Sequence, residues 1–430
     1  MSLRPIFYLK KIKFVVFLNI MKLNELKDKK ILILGFGKEG RDTLLFLKKL
    51  FPKKKIGIAD QKFGKDYLDK IGDYDVIIKS PGIPFKKIPR PDVGKITTQT
   101  EIFFDNCLGQ IVGITGTKGK STTTSLIYDI LKIGGLKAHL VGNIGKPVLN
   151  LLFSATPKDV YVYELSSFQL TNLKKSPHIA VLLNIYPEHM DYYRNFKEYI
   201  NAKANIALHQ KRGDFLVYNS TNKLVSQIAS KSRAKIIPIK GEYYELDRNA
   251  ARAVGELFKI SNEKIEKAIK NFKPLPHRLE LVGTFKGITF YDDAIATIPE
   301  ATIAAINQLG DNVQTIMLGG YDRGIDFKNL AKAVLKSKIK NIILFPTTGE
   351  KIWQEILRQK HLVVSRVEPF FVNNMPDAVS LAYRNTEKGK ICLLSCASAS
   401  YSIFRDYIEK GDLFKKYVRQ FAKTKWQRDH

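Results

Sequence analysis

The sequence predicts an α/β protein of three domains: a Rossmann-like N-terminal domain, a central P-loop ATPase-type parallel sheet and a C-terminal Rossmann-like α/β domain. Three observations lead there. Short β-branched and aliphatic runs recur along the chain, several running into a small-residue loop and then a helical stretch. Two of those loops are glycine-rich in patterns that accept phosphate. A length of 430 residues also exceeds one ordinary domain, so two to four are expected.

The first element is KKILILGFGKEGRDTLLFLKKL, in which a buried strand over Ile31 to Leu34 runs into Gly35, Gly37 and Gly40 and then a helix. The spacing is G-x-G-x-x-G, and IGIAD follows as a second strand ending in Asp60. Glycines, a helix N-terminus and an acid at the next strand end make a dinucleotide fingerprint. The same turn can hold a nucleotide diphosphate that is no redox cofactor, so NAD does not follow. A third strand, DVIIKSPGIP, ends at Ser80-Pro81-Gly82 on the same edge, and the domain closes near Cys107.

The central domain opens on GITGTKGKSTTT. Ile111, Val112 and Ile114 read as a buried strand, followed by Gly116, Gly119, Lys120 and the hydroxyls Ser121 to Thr124. Leu126, Ile127, Ile130 and Leu131 recur at helical spacing and stop at Gly134-Gly135, a C-cap pattern. Strand, glycine loop, Lys-Ser and helix is the order of a P-loop, although Ile114 stands where a strict Walker A motif has its first glycine. DVYVYELSSFQL then places Glu164 at a strand end, and IAVLLNIYPEHMDYY places Glu188, His189 and Asp191 just past another. In open α/β sheets, ligands bind beyond the carboxyl ends of the strands. Glu164 and His189 are therefore expected on the P-loop's side, where a nucleotide-bound Mg²⁺ needs ligands. Taken alone, His189 reads as an ordinary surface-loop histidine.

The third domain begins near KPLPHRLELVG. The strand GITFYDDA is expected to meet a helix capped at Thr297 with Pro299 in its first turn. TIMLGG, NIILF and ICLLS read as further strands, with Cys392 and Cys396 in or beside the last. No internal repeat stands out. The expected boundaries are 1–28 for a basic extension, then 29–106, 107–275 and 276–430.

Composition narrows the function classes. Three cysteines without paired or metal-type spacing suit a reducing cytoplasm. The FVVFLNI run is well short of the ~20 residues needed to span a bilayer, and Met21 reads as a start. The formal charge is +30, but the lysines spread along the whole chain instead of forming one stripe. A nucleic-acid partner would call for clustering. The excess suits polyanionic small substrates better.

Together these residues resemble the Mur ligases, specifically the branch that adds D-glutamate. The resemblance runs from about Lys29 to Lys423 and rests on GITGTKGKST, YELSSFQL, LNIYPEHMDYY, YINAK, PHRLE, LGGYDRGIDF and LLSCASASYSIF in order. It implies ATP-dependent amide formation between UDP-MurNAc-L-Ala and D-glutamate in a cytoplasmic monomer, through an acyl phosphate and a tetrahedral intermediate. Its implied cofactors are two Mg²⁺ ions and a CO₂-derived carbamate on Lys203. By the same resemblance Lys120, Glu164, His189 and Lys203 are catalytic, and Ser121, Glu164, His189 and Lys203 ligate metal. Gly116, Thr117, Lys118, Gly119, Lys120, Ser121, Thr122, Asn249, Arg278 and Asp293 contact ATP. Gly35, Gly37, Lys38, Glu39, Asp60, Gln61, Lys62, Ser80, Gly82, Asn143 and His189 contact the UDP-linked substrate. Thr297, Ser400 and Tyr407 contact the amino acid, and Arg323 matches a contact to it or to nucleotide phosphate.

Three departures are visible. Asp292-Asp293-Ala294-Ile295-Ala296-Thr297 stands where the family often has N-D-S-K-A-T, so Ile295 removes a lysine and Asp292 adds a charge. The adenine segment is degenerate, leaving Asn249, with Tyr243 or Tyr244 as base-stacking alternatives. Tyr407 replaces a common Phe. Competing readings are a related ligase with another acceptor or a folate, a basic P-loop protein that binds nucleic acid, and a nicotinamide-dependent dehydrogenase. The last leaves the P-loop domain unexplained, and the folate ligases lack such an N-terminal domain.

Overall fold

The computed structural model describes residues 22–69, 71–88, 96–190, 192–241, 243–272, 276–359 and 367–424. Most of the expected basic extension, Met21 included, and Asp191 lie outside them. Among the described residues the fold is α/β, with three separate sheets. These residues fall into two compact units, those within 22–186 and 192–272, and those within 187–190 and 276–424.

The first unit holds two all-parallel sheets. The smaller is built from β1 (Ile31–Leu34), β2 (Ile56–Ala59), β3 (Val76–Lys79) and β4 (Ile96–Thr98), in the order β2-β1-β3-β4. Every residue of the central β1 is buried, as two flanking strands require. After β1 the chain turns sharply: Gly35 has φ +93°, and a Cβ on Gly40 would sit 2.1 Å from the Gly35 carbonyl oxygen. Only glycine permits the helix Lys38–Leu50 to start this close to the strand.

The larger sheet comprises β5 (Gln110–Thr115), β6 (Lys137–Gly142), β7 (Asp159–Glu164), β8 (Ile179–Leu182), β9 (Phe215–Asn219) and β10 (Lys235–Ile239), in the order β10-β9-β8-β5-β7-β6. β5, β7 and β8 are its most buried strands. Pro238 sits on the edge strand β10, where a missing N–H is tolerated. The helix Lys120–Ile133 packs Leu126, Ile127, Ile130 and Leu131 with Ala250, Val254 and Ile265 of later helices. It ends as the glycine pair suggests: Gly135 adopts φ +85° and Leu136 N–H donates to the Leu131 carbonyl at 3.0 Å.

The second unit is built on β11 (Glu280–Phe285), β12 (Ile288–Asp292), β13 (Val313–Gly319), β14 (Asn341–Phe345), β15 (Glu368–Phe371) and β16 (Ile391–Leu394), ordered β11-β12-β16-β13-β14-β15. Among the described strands of this sheet only the β11–β12 pair is antiparallel. Cys392 lies in β16 and Cys396 just past it, both buried and outside any disulfide. One expectation is corrected here. The helix Pro299–Leu309 has Ile298, not Thr297, as its N-cap, and no side chain caps it. Thr297 instead donates its hydroxyl to Glu188 Oε1 at 3.3 Å.

Candidate active site

The P-loop is positioned by register. Ile114 of β5 pairs with Glu164 of β7, Thr115 pairs with Leu182 of β8, and Gly142 of β6 also pairs with Glu164. The carboxyl ends of four neighbouring strands thus reach one rim. From there residues Gly116 to Gly119 run into the helix Lys120–Ile133, whose N-cap Gly119 makes no side-chain cap hydrogen bond. Uncapped N–H groups and the helix dipole favour an anion at this end.

The loop is braced from below. Thr117 N–H donates to the Asn184 carbonyl at 2.8 Å, and Lys118 N–H donates to Asn184 Oδ1 at 2.8 Å. The Thr117 hydroxyl bonds the Tyr199 hydroxyl at 2.9 Å. Asp247, a buried acid in the helix Tyr243–Leu257, accepts the Thr123 hydroxyl at 2.8 Å. A Cβ on Gly119, at φ +87°, would fall 2.3 Å from Asp247 Oδ1. Gly119→Ala is therefore expected to distort the loop and raise the KM for ATP at least about tenfold, read by initial rates, since both strain and overlap must be relieved. An unchanged KM would mean that the loop tolerates displacement.

Two ammonium groups converge above this brace. Lys120 Nζ donates to the carbonyls of Gly116 and Thr117, both at 2.9 Å. Lys203, on the helix Phe196–Leu208, is 1% exposed and donates from Nζ to the same Gly116 carbonyl at 2.8 Å. Its Nζ also lies 3.4 Å from Thr115 Oγ1 and 4.9 Å from the Tyr199 ring centre. Two cations on one carbonyl repel, and an anion placed between them relieves that repulsion.

Glu164 completes the rim. It is 1% exposed; Asn143 donates from Nδ2 to Oε1 at 3.2 Å, while Oε2 is buried without a partner. Thr122 Oγ1, two residues past Lys120, is likewise buried and unpartnered. An orphaned buried carboxylate oxygen costs about 1–3 kcal/mol or more. A hard cation coordinated there would satisfy it, so the donor set fits Mg²⁺. Lys203 also fits a carbamate, because Nζ would keep one N–H for the Gly116 carbonyl while a positive charge beside Lys120 is replaced by a negative one.

The other expected residues divide between the two units. In the first unit, Asp60 accepts from Phe36 N–H at 2.6 Å and Lys62 N–H at 2.9 Å, which holds its carboxyl below the usual range. It ties the Gly35–Gly40 loop to Gln61 and Lys62. Lys38 Nζ reaches the Gly145 carbonyl at 2.9 Å. Ser80 donates its hydroxyl to the Gly35 carbonyl at 2.9 Å. Burial pushes the Glu39 carboxyl up to about 7, against a 2.8 Å hydrogen bond from Gln169 of the ELSSFQL segment. Asn249 already has both amide atoms engaged, with the Lys240 carbonyl at 2.8 Å and with Arg252 at 2.6 Å. The ring of Tyr243 lies outside the described residues.

His189 groups with the second unit, has φ +61°, and places Nε2 3.8 Å from Glu188 Oε2. In that unit Asp293 accepts from Leu279 N–H at 3.1 Å and Ser395 Oγ at 2.8 Å. Burial pushes its carboxyl up to about 7, partly opposed by these bonds and by Arg278. The unfolded chain releases this proton near pH 4 and the folded chain only near 7, so folding stability falls as pH rises through that window. Thermal melts of Asp293→Asn are expected to show a shallower decline between pH 4 and 7 than wild type; identical slopes would contradict the assignment. Arg323 lies 5.7 Å from the Tyr401 ring centre, Ser400 Oγ is buried and unpartnered, and the Tyr407 ring stands edge-on to His277 at 6.0 Å.

Sequence reasoning missed Asn184, Tyr199 and Asp247, the braces beneath the P-loop. Asp247 and Tyr199 lie on helices far along the chain, and no local pattern marks them.

Comparison with known proteins identifies the family. The family model described as Mur ligase middle domain matches residues 114–286, and that described as Mur ligase, glutamate ligase domain matches residues 277–398. The chain is 30% identical to the UDP-N-acetylmuramoylalanine--D-glutamate ligase of Acetivibrio thermocellus, over 92% of this chain and 98% of that protein. It is 32% identical to the like-named protein of Clostridium botulinum, covering 91% and 97%. In fold it is similar to the MurF ligase of Thermotoga maritima solved in complex with ADP, with a TM-score of 0.58, 15% identity and coverage of 94% and 98%. It is also similar to the UDP-N-acetylmuramate-alanine ligase MurC of the same organism, with a TM-score of 0.57, 16% identity and coverage of 92% and 100%. The chain belongs to the Mur ligase family of ATP-dependent ligases.

Proposed function

We propose that this ligase joins the alanyl carboxylate of UDP-MurNAc-L-Ala to the amino group of D-glutamate, splitting ATP to ADP and phosphate in the cytoplasm, as a monomer. The observation that carries the reading is the pair of ammonium groups, Lys120 and Lys203, on the Gly116 carbonyl, at the strand-end rim that also carries the orphaned Glu164 carboxylate. Such a rim suits a triphosphate with its metal. A carboxylate is a poor acyl donor, and phosphorylation by the γ-phosphoryl of ATP converts it to an acyl phosphate. The amine attacks this carbonyl, a tetrahedral intermediate forms, and phosphate leaves. Crowded anions must be held and neutralised throughout.

In this reading Gly116, Thr117, Lys118, Gly119 and Thr122 line the phosphates, and Lys120 neutralises them. Ser121 and Glu164 would hold Mg²⁺, and His189 and a carbamylated Lys203 would each offer a further metal ligand. When bound, the metal would supply positive charge that neutralises the phosphates. Asn249, Arg278 and Asp293 serve the nucleotide. The Gly35–Gly40 loop, Asp60 to Lys62, Ser80, Gly82 and Asn143 surround the sugar nucleotide. Thr297, Arg323, Ser400 and Tyr407 hold the acceptor. The domain boundaries proposed are those after residues 28, 106 and 275. None of the family departures touches Lys120, Glu164, His189 or Lys203, which supports an active enzyme.

The test is phosphate release from ATP with UDP-MurNAc-L-Ala and a panel of D- and L-amino acids. Release with D-glutamate alone is expected; release with another acid and none with D-glutamate would reassign the acceptor, with Ile295 the first residue to examine.

A further inference from the structure

The Ser80–Ile83 turn after β3 is gripped by two side chains from separate parts of the first unit. Lys79, the last residue of β3, is 1% exposed. Its Nζ donates to the Ser80 carbonyl at 3.0 Å and the Ile83 carbonyl at 2.7 Å, and lies 4.6 Å from the centre of the Phe85 ring. From the segment beyond β8, the Tyr192 hydroxyl shares its one proton between the Pro81 carbonyl at 2.9 Å and the same Ile83 carbonyl at 3.2 Å. The Tyr192 ring itself is seated 4.2 Å from that of Phe168, in the ELSSFQL segment. Three carbonyls of one four-residue turn are thus taken by two donors, and one carbonyl by both. Ser80 ties the near end to the glycine loop, through its N–H to the Leu34 carbonyl and its hydroxyl to the Gly35 carbonyl.

A buried ammonium is expensive to keep. Desolvation pushes Lys79 down to about 8, although Glu39 nearby opposes it. Burial raises the Tyr192 hydroxyl well above its ordinary value, so it remains a donor at any working pH. Of the three N–H groups on Lys79, two are spent on carbonyls of the turn. Their inward use is what separates a clamp from a direct charge contact to a phosphate.

We propose that Lys79 and Tyr192 form a two-armed clamp that positions the Ser80–Ile83 turn, and so govern affinity for the UDP-linked substrate without touching it or the reacting atoms. The inference rests on the reading that this turn borders the uridine diphosphate. Both are positioning residues. Their loss leaves the P-loop, Glu164 and Lys203 in place, so turnover of bound substrate is retained.

Lys79→Met keeps the length of the side chain, and Tyr192→Phe keeps the ring and its packing on Phe168. Each is expected to raise the KM for UDP-MurNAc-L-Ala about five- to tenfold, the scale of one or two lost hydrogen bonds. The kcat and the KM values for ATP and D-glutamate should stay at wild-type levels. The double variant should lose less than the product of the single effects, because both arms share the Ile83 carbonyl. If Lys79→Met fails to fold, as a thermal melt would reveal, Tyr192→Phe decides alone. An unchanged KM for the sugar nucleotide in Tyr192→Phe, or a fall in kcat at constant KM, would overturn the clamp while wild-type turnover leaves the functional reading standing. A wild-type protein that turns over no UDP-linked acid would overturn both.

Discussion

Lys120→Ala is expected to abolish the ATP cleavage that depends on both other substrates. The side chain ends between the Gly116 and Thr117 carbonyls, at the mouth of an uncapped helix N-terminus. Removing the ammonium takes a fixed positive charge from the point where the proposed reading has phosphate charge neutralised. A single preorganised charge of this kind is worth on the order of 10²–10³ in rate. The apolar stripe Leu126, Ile127, Ile130 and Leu131 lies on the far turns of the helix, so the fold should survive. The check is steady-state phosphate release beside a thermal melt. A stable variant that keeps wild-type turnover would remove Lys120 from the phosphate site.

Lys203→Ala is expected to lose activity on a similar scale and to recover part of it, about tenfold, when short carboxylic acids such as acetate are added. The argument is electrostatic. Lys203 as an ammonium shares the Gly116 carbonyl with Lys120, and two like charges at one acceptor are unfavourable. The proposed carbamylation would replace one of them with an anion able to offer a cation an oxygen ligand. The truncated side chain leaves a space at a buried position that a small carboxylate can enter. Rates would be measured with and without the acid, and the same acids should leave wild type unaffected. A fully active Lys203→Ala that shows no rescue would contradict the carbamate.

Much of the fold was legible because its signals are local. GITGTKGKST reads as strand, glycine loop and helix from consecutive residues, and the structure builds β5, the loop and the helix Lys120–Ile133 from them. Glu164 could be placed because it ends a strand of aromatic and β-branched residues. Short edge strands were harder. Ile96–Thr98 and Glu368–Phe371 are three and four residues long, too short for a period of two to stand out. Thr297 was misread as a cap because Pro299 does open the helix, whereas a carboxylate from a distant segment, Glu188, claims its hydroxyl.

The site was legible in part. Lys120 and Glu164 followed from motif and strand-end logic, but Lys203 carries no such mark: it is a helical lysine whose burial against Tyr199 and the Gly116 carbonyl exists only in three dimensions. It came from the resemblance alone. Asp247 and Lys79 were invisible for the same reason. Each is charged, and its pattern fits a solvated face or strand end equally well, until the fold brings Thr123 to one and the Ile83 carbonyl to the other.

The central claim is that the γ-phosphoryl group of ATP is transferred to the substrate carboxylate before the amide forms. Labelling both carboxylate oxygens of UDP-MurNAc-L-Ala with oxygen-18 tests it directly. One labelled oxygen should leave in the phosphate and the other remain in the amide carbonyl, read by mass spectrometry of both products. Phosphate free of label, with the heavy oxygen found in AMP or in water, would contradict the account.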